Sequence, residues 1–190
     1  MLFLGEKIAE KGIVMQLHYG AQRNTNTVMF NKLGADTGFD CISVKNCGEA
    51  LTGFLNALNV KGKLPKTIIY SLNPNDNELI DTVLGCFRGT EAQGKIQHGS
   101  AWWSAIPKAV WRRSLNRLPT FRFSGILWVC LPIQEAFFPI PATSISEEYS
   151  AIFWANGWKN GEYPDDKITL ETIVKDISYN NAKNILIFRL

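Results

Sequence analysis

Residues 12–40 read GIVMQLHYGAQRNTNTVMFNKLGADTGFD and join a short apolar run to a group of polar side chains. The apolar run, residues 13–17, is typical of a buried strand, and His18 and Arg23 follow at the point where it stops. Proteins built on parallel α/β barrels form their active sites from side chains at the carboxyl ends of such strands. This stretch therefore predicts a functional site at the end of the first strand.

The chain after this stretch alternates between helical and strand patterns. The predicted elements are a helix at 2–11, a strand at 13–18, a helix or turn at 24–33, a loop at 36–46, a helix at 48–58, a strand at 66–72, a helix at 78–87 and a strand from 95 to 98. A strand–helix–strand–helix–strand order is typical of parallel βαβ units. The residues therefore predict the α/β fold class.

The polar motifs in these elements resemble those of the uronate (glucuronate) isomerases. Residues 15–27 match M-Q-L-H-x-G followed by A-x-R-N-x-N-T, and residues 33–40 match L-G-x-D-T-G-F-D. Further similar stretches are KTIIYSLNPNDN at 66–77, GKIQHGSAWW at 94–103 and NGEYPDD at 160–166, with DISYNNAKN at 176–184. These matches are long, polar and irregular, which makes them more specific than any short motif.

The resemblance implies a (β/α)8 barrel of the metal-dependent amidohydrolase superfamily, of which this chain would hold only the last strands. The predicted organisation has three parts. Residues 1–103 form βα units of the barrel, residues 104–157 form an aberrant segment, and residues 158–190 form a C-terminal helical region. The resulting fold is an incomplete C-terminal part of a barrel.

The segment 104–157 departs from this pattern. It holds five of the eight prolines, and no Asp occurs between residues 82 and 164. Back-translation of 104–113 and 126–138 with a frame shift of one base permits sequences similar to the family's, including its last-strand signature T-D-S-R-S. We therefore hypothesise two compensating frameshifts, near residues 103 and 158, as mutations or sequencing errors. A divergent insertion in an intact homologue is the alternative.

Composition excludes several other classes. A hydrophobic fraction of 46% and a charged fraction of 19% are ordinary for a globular protein of 190 residues. The apolar runs are too short for a signal peptide or a bilayer span, so we expect a cytoplasmic protein that contacts no membrane. The four cysteines have no C-x-x-C spacing, which argues against a zinc site formed by them. Five basic residues could form a nucleic-acid patch, a hypothesis that an out-of-frame origin weakens: Lys108, Arg112, Arg113, Arg117 and Arg122.

The resemblance implies an aldose–ketose isomerase acting on hexuronates. The implied reactions interconvert D-glucuronate with D-fructuronate and D-galacturonate with D-tagaturonate. The intact family enzyme would use a divalent metal, expected to be Zn, held by an H-x-H motif and by an Asp of the last-strand signature. This chain has no H-x-H motif, since its histidines are His18 and His98 alone. It also has no Asp in the segment that would carry the last-strand signature. We therefore predict an inactive fragment of an enzyme that can be a homo-oligomer, with a non-catalytic interaction fragment as the alternative.

The sequence offers a small set of candidate site residues. His18 can move protons near neutral pH, or can be a structural histidine. Arg23 can bind a substrate carboxylate through two hydrogen bonds, or can pair with Asp36 or Asp40. Trp102 and Trp103 end a strand, and either can line a sugar pocket or pack between helices. We expect His98 to be structural, Cys41 and Cys47 to be inert, and no metal ligand in this chain.

Overall fold

The structure is a computed structural model that describes residues 1–87, 95–99, 128–129, 155–161, 166–176 and 180. The elements are α1 Leu2–Glu10, β1 Met15–Tyr19, β2 Ala21–Gln22, α2 Thr27–Leu33, β3 Cys41–Ile42, α3 Gly48–Val60, β4 Thr67–Ser71, a 3-10 turn Pro74–Asp76, α4 Asn77–Cys86, β5 Ile96–Gly99, β6 Trp128–Val129 and α5 Lys167–Lys175. Residues 155–159 are also helical.

The main sheet has four strands in the order β1-β4-β5-β6. All three neighbouring pairs are parallel, with His18 opposite Tyr70 and Ile69 opposite His98. Each strand therefore lies beside the next strand of this sheet along the chain, and the connections carry α3 and α4. The predicted α/β class with parallel strands is confirmed.

One face of the sheet carries the hydrophobic core. Met15, Ile69 and Ile96 come from three neighbouring strands and pack with buried residues of α3 and α4. These helix residues are Leu55, Leu58, Ile80, Val83 and Leu84. Complete burial of an aliphatic side chain of this size stabilises a fold by about 1.5–3 kcal/mol, so this layer anchors the sheet.

Side chains alternate along a strand, so every second residue of these strands lies on the opposite face of the sheet. This face is called the second face from here on. Its residues are Gln16 and His18 on β1, Ile68 and Tyr70 on β4, and Gln97 and Gly99 on β5. Ile68, Tyr70 and Gln97 are buried there, although none of them belongs to the core cluster. The candidate residue His18 at the end of β1 therefore lies on the face opposite the core helices.

The predicted boundaries agree with the structure to within a few residues for α1, β1, α3, β4, α4 and β5. One prediction was wrong: residues 36–46, expected to be loop throughout, contain β3, which pairs with β2 in a two-stranded antiparallel ladder. β6 lies within 104–157, a segment for which no element was predicted. A two-residue strand has no periodicity that a sequence pattern could show, which explains both omissions.

Most of the segment 104–157 lies outside the described residues, as do Trp102, Trp103 and the five residues of the basic cluster. The frameshift hypothesis and the three-part organisation therefore stay predictions.

Within the described ranges, no helix combines the length and the apolar character that crossing a membrane requires.

Candidate functional site

The carboxyl ends of β1 and β4 meet at one edge of the sheet. The backbone N–H of Leu72 donates to the carbonyl oxygen of Tyr19 at 2.9 Å, which continues the pairing just beyond β4. Gly20 follows β1 with a φ of 80°, a conformation that favours glycine. A Cβ at this position would lie 2.6 Å from the Ser71 Oγ, so the tight approach of the two strand ends depends on glycine.

A group of polar side chains stabilises the end of β4. The Ser71 hydroxyl donates to Asp76 Oδ2 at 2.9 Å, and the Asn73 amide nitrogen Nδ2 donates to Asp76 Oδ1 at 3.1 Å. The Asn73 Oδ1 accepts the backbone N–H of Asn75 at 3.2 Å, which caps the short turn before α4. This N-P-N-D motif therefore both caps the turn and holds the chain directly beside Gly20.

His18 is the penultimate residue of β1, as predicted from the position where the apolar run stops. Its imidazole stacks on the ring of Tyr70, with the ring centroids 4.3 Å apart and the planes 19° from parallel. Partial burial lowers the pKa of His18 below its ordinary value of 6.5. The imidazole is therefore mostly neutral at pH 7, which is the form that can accept a proton.

Arg23 follows β2 in the loop and forms salt bridges with two carboxylates. Its guanidinium contacts Asp36, and its Nη1 lies 3.0 Å from Asp40 Oδ2. Asp40 also accepts the backbone N–H of Asn24 at 2.8 Å, where Asn24 adopts a left-handed φ of 53°. Of the two roles left open for Arg23, pairing with Asp36 or Asp40 is the one that the structure contains, and it involves both.

An open concavity of about 570 Å³ lies beside this ion-pair cluster. It is lined by residues 25–28 and 38–41, and His18 does not contribute to it. The lining side chains come from the start of α2, the start of β3 and the loop residues beside them, whereas His18 lies at the end of a strand of the main sheet. We therefore take His18, and not a residue that lines this concavity, as the candidate reacting group.

His98 lies on the core face rather than on the second face. Its Nδ1 is 2.8 Å from Asp81 Oδ1 of α4, and both side chains are buried. His98 therefore lies in the packed interior, and its structural role stays a prediction. Cys41 and Cys47 are free thiols, and Trp102 and Trp103 lie outside the described residues.

Among the described residues, no three His, Cys, Asp or Glu side chains come together in a way that could hold a metal ion. His98 and Asp81 bind each other, and the carboxylates of Asp36 and Asp40 bind Arg23. The residues present in this part of the chain therefore do not fit the metal that the resemblance implies.

Comparison with known proteins agrees with the motifs. The model of the glucuronate isomerase family matches residues 1–186. This chain belongs to the glucuronate isomerase family. Among curated relatives, the uronate isomerase of Endomicrobium trichonymphae is 42% identical over 190 residues, and that of Lachnoclostridium phytofermentans is 44% identical over 183 residues. These matches cover 100% and 96% of this chain.

Solved structures of glucuronate isomerases share the fold. The uronate isomerase from Thermotoga maritima superposes with a TM-score of 0.82 at 24% identity over 98% of this chain, and the glucuronate isomerase from Caulobacter crescentus gives 0.81 at 21% over 100%. The chain covers 41% and 39% of the two curated relatives, and 39% and 38% of the two solved chains. It therefore spans about two fifths of the length of these family members.

Proposed function

We propose that this chain is part of a uronate isomerase that interconverts D-glucuronate with D-fructuronate and D-galacturonate with D-tagaturonate. In this proposal its parallel strands are the last strands of a (β/α)8 barrel of the metal-dependent amidohydrolase type, in a cytoplasmic enzyme that can form a homo-oligomer. Family membership and the sequential order of four parallel strands support it. The chain alone is proposed to be inactive.

The observation that carries the proposal is the position of His18. It stands at the carboxyl end of a parallel strand, on the second face, with a lowered pKa. Carboxyl ends of parallel strands are where barrel enzymes place their reacting groups. A histidine that is neutral at pH 7 and held by a neighbouring ring is suited to moving a proton.

Aldose–ketose isomerisation moves a proton between C1 and C2 of an open-chain sugar and exchanges the carbonyl and hydroxyl groups at these carbons. In the proposed site, an imidazole nitrogen of His18 accepts or donates a proton on a sugar oxygen or carbon. A positioned acid–base group of this kind accelerates a reaction by typically 10²–10⁴-fold. The divalent metal of the intact enzyme would need ligands from outside the described part of this chain.

Arg23 is proposed to bind the substrate carboxylate at C6. A guanidinium has five N–H donors, so its two present carboxylate partners do not exhaust it. The Asp36 side chain is 73% exposed and that of Asp40 is 19% exposed. Asp36 is therefore the partner that a substrate carboxylate would displace. Trp102 and Trp103 stay proposed lining residues of the sugar pocket.

One observation favours the alternative of a non-catalytic interaction fragment. Apolar side chains at the start of the chain are strongly exposed, with Met1 at 77%, Phe3 at 72% and Leu4 at 54%. An exposed apolar cluster of this kind is typical of a surface that another polypeptide covers. The nucleic-acid hypothesis has no comparable support, because its basic cluster lies outside the described residues.

The test uses an enzyme completed with the part of the family's length that this chain does not cover. We expect His18→Ala to lower kcat/KM by roughly 10²-fold or more, and His18→Asn to lower it less because an amide keeps part of the hydrogen bonding. His98→Ala is the control and should lower the melting temperature more than the turnover. If His18→Ala changes only the melting temperature, His18 is structural and the assignment fails.

A further inference from the structure

Tyr70 lies at the centre of three neighbouring strands on the second face. It is 3% exposed, and its ring contacts both neighbours of β4: His18 of β1 by stacking and Gly99 of β5 by direct approach. A Cβ added to Gly99 would overlap the Tyr70 ring. The glycine is therefore what allows the ring to lie where it does.

We propose that Tyr70 is a positioning residue that holds the imidazole of His18 in one orientation at the carboxyl end of β1, and that Gly99 provides the space for its ring. The inference rests on the proposed role of His18 in the isomerase. It adds a residue that touches neither the sugar nor the reacting atoms and acts through His18 alone.

The contact is made by the ring rather than by the hydroxyl. The Oη of Tyr70 is buried and has no hydrogen-bond partner among the described residues. Burial also raises the pKa of this hydroxyl, so it stays protonated. By contrast, the two ring planes are 19° from parallel, a stacked arrangement that limits rotation of the imidazole about its Cβ–Cγ bond.

The stacking contact also matters for the chemistry proposed for His18. A catalytic group that samples several rotamers spends only part of its time in the productive one, and small misplacements lower the rate strongly. The ring of Tyr70 is buried and covers one face of the His18 imidazole, so the contact narrows the range of orientations without adding a charge.

The first test is histidine side-chain NMR on the 190-residue chain. His18 and His98 are the only histidines, so each variant gives two sets of imidazole signals. In Tyr70→Leu we expect the His18 signals to lose their ring-current shift and to broaden, while the signals of His98 stay in place. Tyr70→Phe keeps the ring and should leave both sets unchanged.

Three outcomes would overturn the proposal. The His18 signals could stay unchanged in Tyr70→Leu, the His98 signals could move as much as those of His18, or Tyr70→Phe could behave like Tyr70→Leu. Gly99→Ala gives a second route if Tyr70→Leu does not fold, because its Cβ should displace the ring and disturb His18 while Tyr70 remains. Unchanged His18 signals in Gly99→Ala would also count against the proposal.

The second test uses kinetics of the completed enzyme. A positioning role predicts that Tyr70→Leu lowers kcat on the order of tenfold or more with little change in KM, and that Tyr70→Phe stays near the unmodified enzyme. A rise in KM alone would contradict it. The NMR test does not depend on enzymatic activity. If His18→Ala leaves turnover unchanged, the proposed function is refuted. The NMR result still decides whether Tyr70 orients the imidazole of His18.

Discussion

The lowered pKa of His18 makes stability depend on pH. The cause is burial, which disfavours the charged imidazole in the folded chain. Between the folded pKa and the unfolded pKa of about 6.5, the unfolded chain binds more protons than the folded one. The unfolding free energy contributed by this residue is therefore highest above that pH and falls as the pH drops toward the folded pKa.

We predict that His18→Asn weakens this decline in stability between pH 7 and pH 5. Urea unfolding at several pH values measures it, and Gln16→Ala is the matched control because Gln16 is exposed on the same strand and face and does not titrate. An identical pH profile in His18→Asn and the unmodified chain would show that His18 titrates normally.

The two carboxylates that pair with Arg23 differ in burial, and this difference gives a second prediction. Asp40 is the less exposed and also accepts the backbone N–H of Asn24. We expect Asp40→Asn to lower the unfolding free energy by about 1–3 kcal/mol, as for a charged hydrogen-bond partner shielded from water. Asp36→Asn should cost about 0–1 kcal/mol, as for an exposed ion pair.

Chemical denaturation of both single variants measures the comparison under the same conditions. The two substitutions are chemically identical, so Asp36→Asn is the control for Asp40→Asn. A larger loss in Asp36→Asn would contradict the prediction, because the more exposed of the two ion pairs with Arg23 would then contribute more to stability.

At the scale of elements, the His98–Asp81 pair links β5 to α4. The two groups are 2.8 Å apart, and both side chains are buried, so the contact is shielded from water. We predict that Asp81→Leu lowers the unfolding free energy by about 1–3 kcal/mol, because His98 Nδ1 loses its carboxylate partner in a buried site.

The neighbouring variant Thr82→Ala is the control for this prediction, since Thr82 is exposed on the same helix. Melting temperature and urea midpoint should both fall in Asp81→Leu and stay close to the unmodified values in Thr82→Ala. Equal effects of the two substitutions would show that the helix position, and not the buried pair, is responsible.

The elements differ in how far the sequence predicts them. β1, α3, β4, α4 and β5 follow from apolar periodicity, because each is long enough for a repeat to appear. The β2–β3 ladder has only two residues a strand, so its pairing depends on the tertiary position of the loop. The same holds for the stacking of His18 on Tyr70, which needs β1 and β4 to be neighbours although about fifty residues separate the two rings along the chain.

The site residues show the same division. The position of His18 at a strand end follows from the sequence, because an apolar run stops there. The face on which His98 lies follows only from the register with β4 and from contact with α4. The sequence leaves two roles open for Arg23, substrate binding and pairing with Asp36 or Asp40. Only the fold of the loop brings both carboxylates to the guanidinium.

At the scale of the whole molecule, the family match covers nearly all of this chain, whereas this chain covers only part of its relatives. The family model matches 186 of the residues, while the chain spans about two fifths of the length of its curated relatives. A barrel active site collects side chains from several different strands, so a part of the barrel holds a part of the site. In the proposed barrel, complete chemistry would therefore need strands that this chain does not supply.

We therefore predict that the purified 190-residue chain does not isomerise uronates. Its described residues form no cluster that could hold a metal ion, and one of its two histidines binds Asp81 in the core. A coupled assay with D-glucuronate, D-galacturonate and added Zn²⁺ measures turnover. His18→Ala purified by the same procedure is the control, since a contaminating host enzyme would give equal rates in the variant and in the unmodified chain. Turnover of the unmodified chain above that control would show that this part of the molecule suffices for catalysis.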